Sequence, residues 1–69
     1  MTYGTKLRKI RLEKGLSQTA VANSIGLDQS TYSRIESDLS EPKAGVLMKI
    51  AKFYEVEISS LYPSKQKHT

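Results

Sequence analysis

Apolar residues recur along the chain at the spacing of amphipathic helices, in short segments separated by turn-forming residues. The first segment places Tyr3, Leu7 and Ile10 at positions i, i+4 and i+7 and ends at Gly15. The strongest apolar stripe lies between about residues 43 and 54. No segment alternates with the period of a β-strand, so the pattern predicts an all-α fold of five short helices. The other three predicted helices are residues 18–25, residues 29 to about 37, and a last turn or short helix at residues 58–62.

Cap and turn residues mark the boundaries of these helices. Ser17 is a suitable N-cap for the second helix. Gly26 ends that helix, because glycine adopts the left-handed conformation of a tight turn at little cost. Asp28 is predicted to cap the third helix, whereas Glu57 stands where a serine-type cap would begin the last one.

Composition limits what this chain is expected to do. Its 69 residues fit one small domain, predicted at residues 1–63, followed by a polar, disordered tail at residues 64–69. Hydrophobic residues make up only 38% of the chain, so stability must come from efficient helix packing or from oligomerisation. There is no cysteine, and the single histidine, His68, lies in the tail, so we expect no metal site and no cofactor.

A chain of this length also rarely forms a deep pocket, so we expect neither an enzyme nor a receptor for a small-molecule ligand. The sequence contains no apolar run long enough for a membrane span or a signal peptide. This predicts a cytoplasmic protein without a membrane partner.

The charge of the chain favours a polyanionic partner. The net charge is +4, and the sequence pI is near 9.5. Residues 1–34 carry a net charge of +4, residues 35–62 carry −2, and the tail carries +2. We therefore expect the first half of the chain to face the polyanion.

Residues 18–37 have the spacing of a helix-turn-helix, in which two helices meet at a steep angle through a short turn. Ala22 lies where a larger side chain would separate the two helices, and Tyr32 and Ile35 anchor the second of them to the core. The opposite face of that helix carries one polar stripe, which consists of Gln29, Ser30, Ser33 and Arg34. Glutamine pairs with adenine, arginine with guanine and serine with either, although exposed helix faces often carry such residues for solubility alone.

The sequence resembles the phage-repressor-like (XRE-type) helix-turn-helix family over roughly residues 3–62. The runs that carry the resemblance are Gly15-Leu16-Ser17-Gln18, Val21-Ala22, Ile25-Gly26-Leu27, Ser33-Arg34-Ile35-Glu36, Lys49-Ile50-Ala51-Lys52 and Leu61-Tyr62. The resemblance implies a compact five-helix, lambda-repressor-like domain that binds double-stranded DNA as a transcriptional regulator, expected to be a repressor. It also implies a homodimer on a pseudo-palindromic operator, with the recognition helix in the major groove.

The resemblance also implies roles for individual residues. Its base-reading positions fall on Gln29, Ser30, Ser33 and Arg34. Its phosphate-contacting positions fall on Ser17, Gln18, Thr31, Ser37 and Lys43. Arg11 and Glu36 match an internal ion pair, and Gln18 matches a residue that also braces Gln29. For Ser37, a plain solvated loop is nearly as good an interpretation, and for Asp28 the alternative to capping is contact with a cytosine amine.

Residues near the last helix have two interpretations. They are core residues by default, and similar domains dimerise in this region. The residues expected at the two-fold interface are Glu57, Ile58, Leu61 and Tyr62.

Some positions depart from the family pattern. Tyr32 replaces an aliphatic anchor, so its hydroxyl needs a partner or must reach the surface. Asp38 replaces a glycine often found after Glu36, which predicts a differently shaped loop.

Two other functions are compatible with this sequence. The first is an antitoxin or a restriction-modification controller, whose DNA binding is coupled to a partner protein or a neighbouring operon. The second is a basic peptide that acts on membranes or RNA, which the well-distributed core positions and the lack of a sustained basic face argue against.

Overall fold

The structure is a computed structural model that describes residues 2–62, and it is all-α over this range. The helices are α1 (Tyr3–Glu13), α2 (Gln18–Ile25), α3 (Gln29–Glu36) and α4 (Ala44–Tyr54), followed by a 3₁₀ helix (Ile58–Leu61). The all-α prediction and the four predicted α-helices are confirmed. Residues 64–69, where the sequence predicts a tail, and His68 within it lie outside the described residues.

The five-helix prediction is wrong: where the sequence predicts a last turn or short helix at residues 58–62, the structure has one turn of 3₁₀ helix. Ser60 N and Ser60 Oγ both donate to the carbonyl oxygen of Glu57, at 3.0 Å and 2.6 Å. The turn therefore closes with the shorter i to i+3 hydrogen-bond pattern of a 3₁₀ helix. Because the carbonyl oxygen of Glu57 already accepts from Ser60, it does not form the i to i+4 hydrogen bond that an α-helix would require. The fold is thus four α-helices and a short 3₁₀ helix.

The helix caps follow the sequence closely, with one exception. Ser17 Oγ accepts a hydrogen bond from Ala20 N at 3.0 Å, and Gly26 has the left-handed conformation at φ 76°. Asp28 has the extended backbone of an N-cap, but its side chain makes no capping hydrogen bond, so that part of the prediction is wrong. Glu57 likewise occupies an N-cap position without a side-chain bond.

A small core lies where the helices meet, and every helix contributes to it. Buried apolar side chains come from α1, α2, α3, α4 and the 3₁₀ helix. These residues are Leu7, Val21, Ala22, Ile25, Tyr32, Ile35, Leu47, Ile50, Ala51, Tyr54 and Leu61.

Two tyrosines place hydroxyl groups inside this core. Tyr32 is fully buried, and its hydroxyl lies 3.3 Å from that of Tyr54 on α4. Burial and the hydrogen bond between them raise the pKa of Tyr32, and burial raises that of Tyr54, so both stay neutral. The Tyr32 hydroxyl has therefore found its partner inside the core rather than at the surface.

The N-terminus of α1 packs directly against the C-terminus of α3. A Cβ atom added at Gly4 would overlap the backbone carbonyl of Glu36, so only glycine permits this approach. Asp38, in the left-handed conformation at φ 62°, accepts hydrogen bonds from Gly4 N at 3.1 Å and from Thr2 Oγ1 at 2.7 Å. Asp38 thus ends α3 and satisfies free donors at the start of α1.

We expect the Gly4→Ala substitution to destabilise the domain by about 1–3 kcal/mol or more, because the added methyl group meets backbone rather than a flexible side chain. Gly45→Ala is the matched control, since nothing lies within 4 Å of a Cβ at that position in α4. The control should be more stable than the wild type by up to about 1 kcal/mol. Urea denaturation followed by circular dichroism measures both changes, and equal effects of the two substitutions would contradict the packing argument.

Candidate nucleic-acid interface

Helices α2 and α3 form a helix-turn-helix with a tightly closed turn. Gly26 provides the left-handed residue, and Leu27 N donates to the carbonyl oxygen of Ala22 at 2.9 Å. Ala22 is fully buried, and its small side chain lets the two helices approach each other. The turn therefore sets the position of α3 relative to α2.

One face of α3 is buried, and the other is open to solvent. Tyr32, Ile35 and Glu36 form the buried face. Gln29, Ser30 and Arg34 are exposed, and Ser33 is half-buried between them. The structure therefore places the four residues predicted to read bases on the outward side of α3.

A buried ion pair joins α1 to the end of α3. Arg11 Nε donates to Glu36 Oε2 at 2.7 Å, and Arg11 Nη2 donates to Glu36 Oε1 at 3.0 Å. The two side chains are only 11% and 2% exposed. Arg11 also donates to the carbonyl oxygen of Leu16 at 2.8 Å, which fixes the loop between α1 and α2.

The hydrogen-bond network continues from this ion pair to the exposed face of α3. Gln18, the first residue of α2, donates through Nε2 to Glu36 Oε1 at 3.1 Å. Gln29 Nε2 donates in turn to Gln18 Oε1 at 3.1 Å. A continuous chain of side chains thus leads from the protein interior to the first residue of α3.

The network keeps Glu36 ionised although it is buried. Burial alone would raise the pKa of the Glu36 carboxyl, but the hydrogen bonds from Arg11 and Gln18 and the charge of Arg11 bring it below its usual value of 4.5. The hydrogen bond to Glu36 is also the main reason why the pKa of Arg11 is raised. Both groups are therefore charged over the whole neutral range.

The residues predicted to contact phosphate are positioned around α3 and at helix ends. Ser17 is the exposed cap of α2, Thr31 is exposed on α3, and Ser37 is the exposed C-cap of α3. Lys43 is exposed at the N-cap position of α4, where its side chain makes no capping bond. Gln18 is half-buried, because it is part of the network described above.

Of the four residues predicted at the dimer interface, one is buried in the monomer and three keep accessible surface. Leu61 is fully buried in the core of the monomer, because the 3₁₀ helix turns this side chain inward, so it offers no surface to a second copy. Glu57 is exposed, Ile58 is half-buried and Tyr62 is 44% exposed. The ring of Tyr62 packs edge-on against that of Tyr3, with 6.0 Å between their centres.

Part of the positive charge of the first half lies away from the helix-turn-helix. Lys6 Nζ donates to the carbonyl oxygen of Ser60 at 3.0 Å, and Lys6 and Lys9 line a shallow groove beside the 3₁₀ helix. Lys6 is therefore held beside the 3₁₀ helix rather than at the helix-turn-helix. Net charge along the sequence does not show which side of a helix carries it.

Sequence reasoning missed the contact of Gly4 and Asp38, which supports α3 from behind. The only signal was the departure of Asp38 from the expected glycine.

Within residues 2–62, no group of histidine and carboxylate side chains could hold a metal ion. No described helix is long and apolar enough to cross a membrane.

Comparison with known proteins finds helix-turn-helix proteins and transcriptional regulators, as the fold suggests. A family model described as helix-turn-helix matches residues 7–61. The cryptic phage CTXphi transcriptional repressor RstR of Vibrio cholerae is 41% identical over 59 residues, which are 86% of this chain and 53% of that protein. The transcriptional regulator PuuR of Escherichia coli is 36% identical over 64 residues, which are 93% of this chain and 35% of that protein. The chain thus spans about half, or less, of the length of these relatives.

Solved structures of SinR show the same architecture. The N-terminal DNA-binding domain of SinR from Bacillus subtilis superposes with a TM-score of 0.82 at 29% identity, covering 94% of this chain and 96% of that one. SinR in complex with DNA superposes with a TM-score of 0.81 at 30% identity, covering 87% of this chain and 97% of that one.

We expect acid to destabilise the domain through Glu36. Because its pKa is lower in the folded protein than the usual 4.5, its stabilising contribution is complete above that pH and is lost as pH falls through the folded value. Glu36→Gln should be less stable than the wild type by about 3–5 kcal/mol at neutral pH, and the difference should narrow on acidification. Urea denaturation of both proteins between neutral and acidic pH measures this difference, and a constant difference would contradict the assignment.

Proposed function

Because the chain belongs to the phage-repressor-like (XRE-type) helix-turn-helix family, we propose that it binds double-stranded DNA sequence-specifically and acts as a transcriptional repressor. The observation that carries this proposal is the outward face of α3, where polar side chains stand on a helix anchored by Tyr32 and Ile35. The match to a solved structure of SinR in complex with DNA supports DNA as the partner. In this proposal, α3 is the recognition helix and enters the major groove.

The exposed side chains divide into base-reading and phosphate-binding groups. Arg34 reads guanine and Gln29 reads adenine, with Ser30 and Ser33 contacting neighbouring bases. The side chains that bind phosphate lie around α3 and at the helix ends; they are Ser17, Gln18, Thr31, Ser37 and Lys43. Phosphate contacts fix the position of the protein on DNA, and base contacts select the sequence.

We further propose that the protein binds as a homodimer on a pseudo-palindromic operator. One domain of this size offers few phosphate contacts, and two copies double both the contacts and the sequence that is read. Of the residues predicted for the interface, Glu57, Ile58 and Tyr62 retain accessible surface and remain candidates.

Selection of bound sequences from random DNA tests the proposed function. We expect a pseudo-palindromic site whose affinity falls with salt at a log–log slope of about −6 to −10 for a dimer that neutralises that many phosphates. Binding without any sequence preference would contradict the proposal.

Two substitutions should separate base reading from phosphate binding. Arg34→Ala should relax the preference at one base pair in each half-site, at a loss of about 1–3 kcal/mol. Lys43→Ala removes the same charge and should weaken binding to all sequences alike, with a smaller salt slope. Competition binding against operators changed at single positions measures both effects, and full discrimination by Arg34→Ala would rule out its base-reading role.

A further inference from the structure

The loop between α3 and α4 carries an apolar side chain that no other described residue covers. Leu39 is 66% exposed, although the backbone around it is fixed. Leu39 N donates to the carbonyl oxygen of Arg34 at 2.9 Å, and the preceding Asp38 accepts from Gly4 N. Glu41, two residues further on, is also exposed. Leu39 and Glu41, which we call the acidic loop, therefore present a leucine and a carboxylate together on a fixed backbone.

A groove near the other end of α4 has the opposite charge. It lies between the C-terminus of α2 and the second half of α4, and its volume is about 490 Å³. Ile25 and Phe53 give it an apolar floor, and Lys49 and Lys52 are exposed at its rim. This basic groove therefore offers an apolar surface beside two positive charges, which is the complement of the acidic loop.

The charges of both surfaces are without partners in the described chain. The one ion pair within residues 2–62 is that of Arg11 with Glu36, so neither Glu41 nor either lysine of the groove is paired there. Glu41 precedes α4, whereas Lys52 lies about 12 Å along that helix from its first residue. The two surfaces are thus at opposite ends of α4, and a second copy of the chain brings them together where a single copy does not.

We propose that the acidic loop of one copy docks in the basic groove of a second copy. Leu39 then covers the apolar floor, and Glu41 pairs with the lysines at the rim. Because the two surfaces differ, the contact is heterologous, so each copy still offers one unused loop or groove and the assembly extends as a chain. The contact is small and charged, so it forms at high protein concentration and weakens with salt.

The same contact has a consequence for DNA binding, and this step rests on the proposed function. The acidic loop lies between Ser37 and Lys43, the two residues of this region proposed to bind phosphate. A copy docked on Leu39 and Glu41 covers that edge of the protein. Self-association and DNA binding therefore exclude each other, so the chains hold protein that is not bound to DNA.

Exchanging the charges of the two surfaces tests the contact. Glu41→Lys sets a lysine against the lysines of the groove, and Lys52→Glu sets a carboxylate against Glu41. Because like charges then face each other, we expect each variant alone to self-associate about 5- to 100-fold more weakly than the wild type. An equimolar mixture of the two variants should regain association, because the substituted loop meets the substituted groove and the native loop meets the native groove.

Two substitutions on α1 provide matched controls for the change in net charge. Glu13→Lys and Lys9→Glu make the same charge changes at exposed positions outside both surfaces. Neither control should weaken self-association as its partner variant does, and mixing the two controls should add nothing. Leu39→Ser leaves the charge unchanged and should weaken self-association by about 5-fold or more, since it removes the apolar part of the contact.

Sedimentation equilibrium without DNA, over a range of protein concentrations and salt, measures the average mass of each variant and mixture. Circular dichroism checks that all of them are folded. For the wild type we expect the mass to rise past that of two copies as the concentration increases, and to fall as salt is added. Addition of the operator obtained by selection should dissolve the chains.

The outcomes separate this inference from the proposed function. A mass that stays at one copy overturns the inference, and so does a mass that levels off at two copies, which the proposed homodimer alone would give. A mixture of the charge variants that associates no better than either variant also overturns it. Chains that persist at saturating operator contradict the exclusion between self-association and DNA binding. A wild type that selects no DNA sequence overturns the proposed function and leaves the sedimentation test unchanged.

Discussion

The ion pair between Arg11 and Glu36 is the interaction on which the arrangement of the helices depends. An isolated charge is expensive to bury, so each of these side chains requires the other in the interior. Arg11 is also bonded to Leu16 in the loop, and Glu36 to Gln18 on α2, so one buried pair fixes three helices and a connection. Because the core is small, apolar packing alone defines the orientation of the helices only loosely. The ion pair adds directional hydrogen bonds that define this orientation.

The core itself contains two polar groups. The hydroxyl groups of Tyr32 and Tyr54 meet between α3 and α4, where an aliphatic pair would be simpler. A buried hydroxyl left without a partner is destabilising, so these two residues constrain each other across the core. The recognition helix proposed here is thus held by directional contacts on two sides, toward α1 through Glu36 and toward α4 through Tyr32.

Local features of the sequence predicted most of the fold. The apolar spacing and the caps at Ser17 and Gly26 predicted the α-helices, because short-range interactions determine where a helix begins and ends. The 3₁₀ helix was not predictable in this way, because it depends on the hydrogen bond that the Ser60 side chain donates to the carbonyl oxygen of Glu57. The outward stripe of α3 followed from periodicity and family resemblance. Neither the burial of Leu61 nor the position of Lys6 beside Ser60 could be predicted from periodicity. Both depend on which face of a helix packs against its neighbour in the folded protein.

The glycine at position 4 constrains how this sequence can diverge. The exposed residues of α3 lie outside the core, so apart from Gln29, which is bonded to Gln18, their identities are free to change, and with them the DNA sequence that is recognised. Gly4, by contrast, lies against the main chain of Glu36 and donates its N–H group to Asp38, a partner 34 positions away. A larger residue at position 4 would move the end of α3, and with it every side chain that the helix presents. Substitutions that change specificity are therefore confined to one face of α3. The contacts of Gly4 with Glu36 and Asp38, which orient this face, must be kept together.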